Sequence, residues 1–137
     1  MRVLIVDDSP TNLLIFTKVA QSIGCTTEAF SDPLAALEAF PASQADLAII
    51  DYHMPSLNGL ELIKQIRAFP ACADVPLVMV TANSESSVRY AALDAGATDF
   101  LKRPIDPVEV KSRLRNLLKL RSAQNALRDR AEWLATE

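Results

Sequence analysis

The sequence predicts an α/β fold: a doubly wound, five-stranded parallel sheet with an extended C-terminal helix. Three observations carry this expectation. Short, uninterrupted aliphatic runs such as Val3-Leu4-Ile5-Val6 and Leu47-Ala48-Ile49-Ile50 read as strands buried on both faces, because a half-exposed strand alternates. A helically periodic segment follows each strand after a connection of a few residues, and such alternation builds a parallel sheet covered on both sides. The 137 residues, half of them apolar, suffice to close one hydrophobic core.

Taken in order, Val3 to Val6 forms the first strand and ends in Asp7-Asp8. Ser9-Pro10 opens a helix, with Ser or Asp as cap and Pro at the first helical position. Leu13, Leu14, Phe16, Val19, Ala20 and Ile23 keep a 3.6-residue period and Gly24 stops it. Cys25 to Phe30 is the second strand, and Ser31-Asp32-Pro33 starts a helix running through Leu34, Leu37 and Phe40 to Pro41. The third strand, Leu47 to Ile50, is again closed by an aspartate, Asp51, before the turn-rich loop Tyr52 to Gly59. A helix over about Leu60 to Ala68 precedes the fourth strand, Val75 to Val80, which ends at Thr81; Pro76 is tolerable at a strand start. Ser84 to Ala95 is a helix closed by Gly96, Thr98 to Leu101 a short fifth strand, and Asp106-Pro107 opens the last helix.

Composition removes several function classes. A formal charge of −3 argues against bulk nucleic-acid attraction, and the apolar content argues against disorder. Two distant cysteines without CxxC spacing suggest neither a disulfide framework nor zinc; Cys25 reads as a buried small apolar residue and Cys72 as a surface loop residue. No apolar run approaches the ~20 residues that span a bilayer, and the start of the chain lacks a signal-peptide pattern. A cytoplasmic location is the expectation.

In an open parallel sheet, ligands bind beyond the carboxyl ends of the strands. There the sequence places Asp7 and Asp8 after strand one, Asp51 after strand three, Thr81 after strand four and Lys102-Arg103 after strand five. One such Asp alone would be a helix cap or a turn residue; their joint occurrence favours a site. Three convergent carboxylates call for a cation, and oxygen-only ligands suit Mg²⁺ or Mn²⁺. With a hydroxyl and a cationic side chain alongside, a phosphoryl group is the natural anion.

These residues carry a family resemblance. Val6-Asp7-Asp8, then Ile50-Asp51-Tyr52-His53-Met54-Pro55 with Gly59, then Val80-Thr81-Ala82, then Phe100-Leu101-Lys102-Arg103-Pro104 resemble the response-regulator receiver domain of two-component signalling, over about residues 1–120. The resemblance implies a flavodoxin-like strand order 2-1-3-4-5 and a cytoplasmic phosphorelay protein. Asp51 would accept a phosphoryl group from a histidine kinase or phosphotransfer protein. Asp8 and Asp51 would bind Mg²⁺ through side chains, His53 through its backbone carbonyl, and Asp7 through water. Thr81 would be the switch hydroxyl and Phe100 its aromatic partner. The family usually has Lys before the Pro that follows strand five, whereas Arg103 stands there in this chain. Arg103 therefore takes the phosphate-contacting slot, unless a one-residue shift brings Lys102 in; a cis Arg103–Pro104 bond is also implied. The His53 imidazole reads as either an acid/base group beside the acyl phosphate or an exposed loop side chain. Met54 and Met79 read as packing residues.

The tail differs from the body. Residues 1–101 carry five basic and twelve acidic side chains, whereas residues 102–137 carry nine basic and five acidic. No Gly or Pro interrupts the chain after Pro107, so one helix of about thirty residues is expected, with Leu120, Leu127 and Leu134 in a seven-residue repeat. Arg113, Arg115, Arg121, Arg128 and Arg130 would solvate its outer face. Residues 121–137 are thus expected as a helical extension, able to pair weakly with a second copy and leading to an output module beyond Glu137. Their Leu-Arg-Asp-Arg-Ala-Glu-Trp-Leu ending resembles the linker of HD-GYP cyclic-di-GMP phosphodiesterase regulators. Two other classes compete: a Mg²⁺-dependent phosphohydrolase with an aspartate nucleophile, which the adjacency of Asp7 and Asp8 and the absence of a cap insertion disfavour, and a pure interaction module, which the intact acid cluster disfavours.

Overall fold

The computed structural model describes residues 1–82 and 86–135. Five strands, β1 (Arg2–Val6), β2 (Thr26–Phe30), β3 (Leu47–Asp51), β4 (Leu77–Thr81) and β5 (Asp99–Lys102), alternate with α1 (Pro10–Ser22), α2 (Pro33–Ala39), α3 (Gly59–Arg67), α4 (Ser86–Ala95) and α5 (Pro107–Ala135). The strands pair in parallel in the order β2-β1-β3-β4-β5. Ser84 and Glu85, expected to begin the fourth helix, lie outside the described residues. Among the described residues, no helix is long and apolar enough to cross a membrane.

The two faces of the central strands account for their unbroken apolar runs. Leu4, Val6, Ala48, Ile50, Leu77 and Met79 pack toward Ala36 of α2, Leu62, Ile63 and Ile66 of α3, and Ala92 of α4. Val3, Ile5, Leu47, Ile49, Val78 and Val80 pack toward Phe16, Val19 and Ala20 of α1 and Val110, Leu114 and Leu117 of α5. Side chains alternate across a strand, so burial on both faces removes the polar half of the pattern.

Local chemistry sets the helix starts. Ser9 accepts the Asn12 amide at the head of α1, Asp32 that of Leu34 before α2, and Asn58 that of Glu61 before α3. Gly24 ends the first helical segment at φ +87°, a left-handed conformation that suits glycine.

Two expectations need correction. Cys72 is not a surface residue: it closes a 3₁₀ turn over Pro70–Cys72 and is buried in the α2–α3 layer, where burial raises its thiol pKa. The turn is held by Arg67, whose guanidinium donates to the carbonyls of Cys72, Ala73, Val75 and Gly96. Arg121 is 5% exposed, the opposite of a solvated outer face. It reaches Asp46 at 3.4 Å and Asp74 at 3.3 Å, while Asn125 donates to Asp46 and the Arg2 amide also donates to Asp46. Asp46 and Asp74 precede β3 and β4, so this network ties the first turn of the extension to the lower edge of the sheet. Arg115, Arg128 and Arg130 are exposed as expected. The helix α5 itself runs without a break for 29 residues.

Candidate functional site

The carboxyl ends of β1, β3, β4 and β5 converge on one crevice. Asp51 is the last residue of β3 and Thr81 the last of β4; both are 1% exposed. Asp7, just past β1, is equally buried and accepts the Ser9 amide at 2.9 Å through Oδ1. Asp8 is exposed. Asp7, Asp8 and Asp51 each offer a carboxylate oxygen, and these atoms lie within 4.8 Å of one another. The structure thus assembles the acid cluster expected from the strand ends.

Gly59 makes room for it. A Cβ at that position would drive into the Asp51 carbonyl oxygen and lie 2.9 Å from Tyr52 Cα, while the Gly59 amide donates to the Tyr52 carbonyl at 2.9 Å. The head of α3 can close on the end of β3 only because no side chain intervenes. His53 is exposed, its ring edge-on to Tyr52 at 4.7 Å, so the imidazole is engaged with a loop neighbour.

Lys102 and Arg103 are placed on different sides of the strand end. β5 ends one residue later than expected, at Lys102, which pairs with Thr81 in the sheet and is exposed. The Lys102 side chain lines a separate cavity between β5 and α5. Arg103 is the first residue past the strand, its amide bonded to the Thr81 carbonyl at 3.0 Å, and its guanidinium turns into the crevice. Nη2 forms an ion pair with Asp51 Oδ1 and lies 3.6 Å from Asp7 Oδ2. The Arg103–Pro104 bond is cis.

Electrostatically the crevice is in deficit, with three carboxylates facing one guanidinium. Burial first, and then the neighbouring Asp7 charge, push the Asp51 carboxyl up to about 6 although Arg103 pulls it down. Burial also raises Asp7, against the hydrogen bond from Ser9. The Arg103 contact is close but misaligned: Asp51 Oδ1 and Oδ2, Asp7 Oδ2, and Arg103 Nε and Nη2 have no hydrogen-bond partner. Three converging carboxylates, all hard oxygen donors, with one guanidinium between them, fit a small divalent cation such as Mg²⁺.

Sequence reasoning missed two groups of residues. The Arg121–Asp46–Asp74 network left no local signal, since its members are 28 to 75 positions apart. Arg89 of α4 stands over the Phe100 ring at 5.6 Å, a contact between elements that no spacing in the sequence marks.

Known proteins resemble this chain over most of its length. Residues 3–115 match the response regulator receiver domain family. The chain is 36% identical over 133 residues to the cyclic di-GMP phosphodiesterase response regulator RpfG of Xanthomonas campestris, covering 96% of this chain and 35% of that protein. It is 35% identical over 119 residues to the response regulator MprA of Mycobacterium ulcerans, covering 87% of this chain and 50% of MprA. The chain therefore spans about a third to a half of the length of these relatives. Among solved structures, the receiver domain of the sensor histidine kinase PA1611 from Pseudomonas aeruginosa, which has a magnesium ion coordinated in its active-site cleft, superposes with a TM-score of 0.78. It shares 26% sequence identity, covering 86% of this chain and 97% of that one. The chain belongs to the receiver-domain family of two-component response regulators, and it is a signalling domain rather than a phosphohydrolase.

Proposed function

We propose that Asp51 is the phosphoryl acceptor of this receiver and that its modification drives the switch. The buried Asp51 carboxylate, ion-paired with Arg103 and gathered with Asp7 and Asp8 within 4.8 Å, is the observation that carries the reading. With its pKa near 6, Asp51 is mostly ionised at pH 7 and available as a nucleophile. One of its oxygens attacks the phosphorus of a phosphohistidine on a sensor kinase or phosphotransfer protein, or of a small acyl phosphate. The bond from phosphorus to the leaving group breaks, and that group departs with the electron pair and takes up a proton. Asp8, Asp51 and the His53 backbone carbonyl would hold Mg²⁺, with Asp7 acting through water; Mn²⁺ suits the same donors. When bound, the ion supplies positive charge to the acid cluster and to the transferring phosphoryl oxygens. Arg103 and the Thr81 hydroxyl would then each take a phosphoryl oxygen, and Lys102 would take none. Thr81 drawn inward leaves space that Phe100 can fill, moving the α4–β5–α5 face.

Residues 1–120 would form the receiver, and 121–137 its connection to an output module. The similarity to RpfG extends over 133 residues and supports a cyclic-di-GMP phosphodiesterase regulator as the parent protein. Leu120, Leu127 and Leu134 are 43%, 70% and 55% exposed, a seam along which two copies would pair weakly. The location would be cytoplasmic, with neither nucleic acid nor membrane as a direct partner.

Beryllofluoride with Mg²⁺ mimics the acyl phosphate and tests the reading by amide NMR. The expected result is shifts at Asp51, Thr81 and the α4–β5–α5 face, all lost in Asp51→Asn. Unchanged spectra, or shifts retained in the variant, would refute it.

A further inference from the structure

We propose that Arg89 is a positioning residue for the switch: its guanidinium latches Phe100 in the half-exposed orientation and opposes the inward turn. The inference rests on the receiver-switch reading above and adds the residue that sets its threshold.

Phe100 is half-buried, one side against the α3–α4 layer, and Arg89 lies over its ring at 5.6 Å, within cation–π range. The two side chains share the walls of two cavities, about 210 Å³ toward α5 and about 190 Å³ along α4. The ring is therefore not wedged in place by packing on all sides, and a single cation contact can weigh on its orientation.

The two acids that share the cavity toward α5 with Arg89 are already held by another cation. The acids nearest to hand in the cavity toward α5 are Asp99 and Glu109. Arg113 holds both, with Nη1 3.0 Å from Asp99 and Nε 3.1 Å from Glu109. Asp99 also accepts the Phe100 amide at 2.8 Å, fixing the backbone while leaving the ring to rotate. Arg89 is thus left to stand over the aromatic face of Phe100. An inward turn of Phe100 removes that face from Arg89, and the latch then favours the resting state by its differential contact alone.

The test is ¹⁹F NMR on the full chain labelled with 4-fluorophenylalanine, the Phe100 signal assigned by Phe100→Leu, titrated with beryllofluoride at fixed Mg²⁺. An exposed cation–π contact corresponds to about a 2- to 5-fold change in equilibrium. Arg89→Met should therefore reorient Phe100 at about 2- to 5-fold lower beryllofluoride than the parent. Arg89→Lys, which keeps a cation, should stay closer to the parent than Arg89→Met does. A parent that responds while Arg89→Met leaves the midpoint unmoved or raises it refutes the latch alone; equal lowering by Lys and Met also refutes it, because the charge is then irrelevant. A Phe100 signal in the parent that ignores beryllofluoride refutes the switch reading, and the latch with it.

Discussion

Replacing Asp51 by Asn should stabilise the metal-free protein, and by more as pH rises. The Asp51 carboxyl sits at about 6 in the fold against an ordinary 3.8 in the unfolded chain. Between those values the native state holds a proton that the unfolded chain has lost. The stability associated with that proton is fully present below 3.8 and is lost as pH rises through about 6. About two pH units at ~1.4 kcal/mol each put the penalty at about 3 kcal/mol by neutral pH. Roughly 2 kcal/mol of it develops between pH 4.5 and 8, because part is already lost at the lower limit. Asn has nearly the same shape and no charge, so it removes the penalty; removing the Asp51 charge also lets Asp7 ionise more readily, which acts in the same direction. Urea unfolding in EDTA across this range, parent and Asp51→Asn side by side, measures the difference directly. A variant advantage that stays flat with pH, or grows toward acid, would show that burial and the neighbouring acid do not strain Asp51.

Other expectations concern single residues. Asp8→Asn should weaken Mg²⁺ affinity, followed by titration calorimetry, much more than Asp7→Asn if Asp7 acts through water; equal losses would overturn that division. Arg103→Ala should impair beryllofluoride-driven NMR shifts more than Lys102→Ala, because only Arg103 turns into the crevice. Arg121→Ala should cost about 1–3 kcal/mol in urea unfolding by leaving Asp46 half-buried without its cation, and a loss under 0.5 kcal/mol would mean the pair is solvated. Sedimentation velocity of the full chain against one ending at Leu118 tests the exposed seam: beryllofluoride should strengthen dimers of the full chain only.

What could be read in advance follows from where information is local. Strands β1, β3 and β4 were legible because burial on both faces leaves unbroken aliphatic runs, and their terminal Asp51 and Thr81 were placed without further data. The acid cluster was legible because a parallel sheet gathers all its carboxyl ends on one edge. The end of β5 was not, since Thr98 through Arg103 contains no residue that stops a strand before Pro104, and one residue decides whether Lys102 or Arg103 enters the site. Arg121 and Cys72 were misplaced for a related reason: an Arg on a long polar helix and a Cys between prolines look exposed until distant partners, Asp46 and Asp74 or the α2–α3 layer, are known. Gly59 belonged to the recognised motif, but its reason is tertiary, the close approach of α3 to the Asp51 carbonyl.

The central claim, that Asp51 takes the phosphoryl group, is tested most directly by incubating the chain with a labelled acyl phosphate and Mg²⁺, then trapping and mapping the product by mass spectrometry. The account predicts one acid-stable, hydroxylamine-sensitive modification on the peptide containing Asp51, absent from Asp51→Asn. A label that survives in the variant, or that maps to Asp7, Asp8 or His53 in the parent, would contradict it.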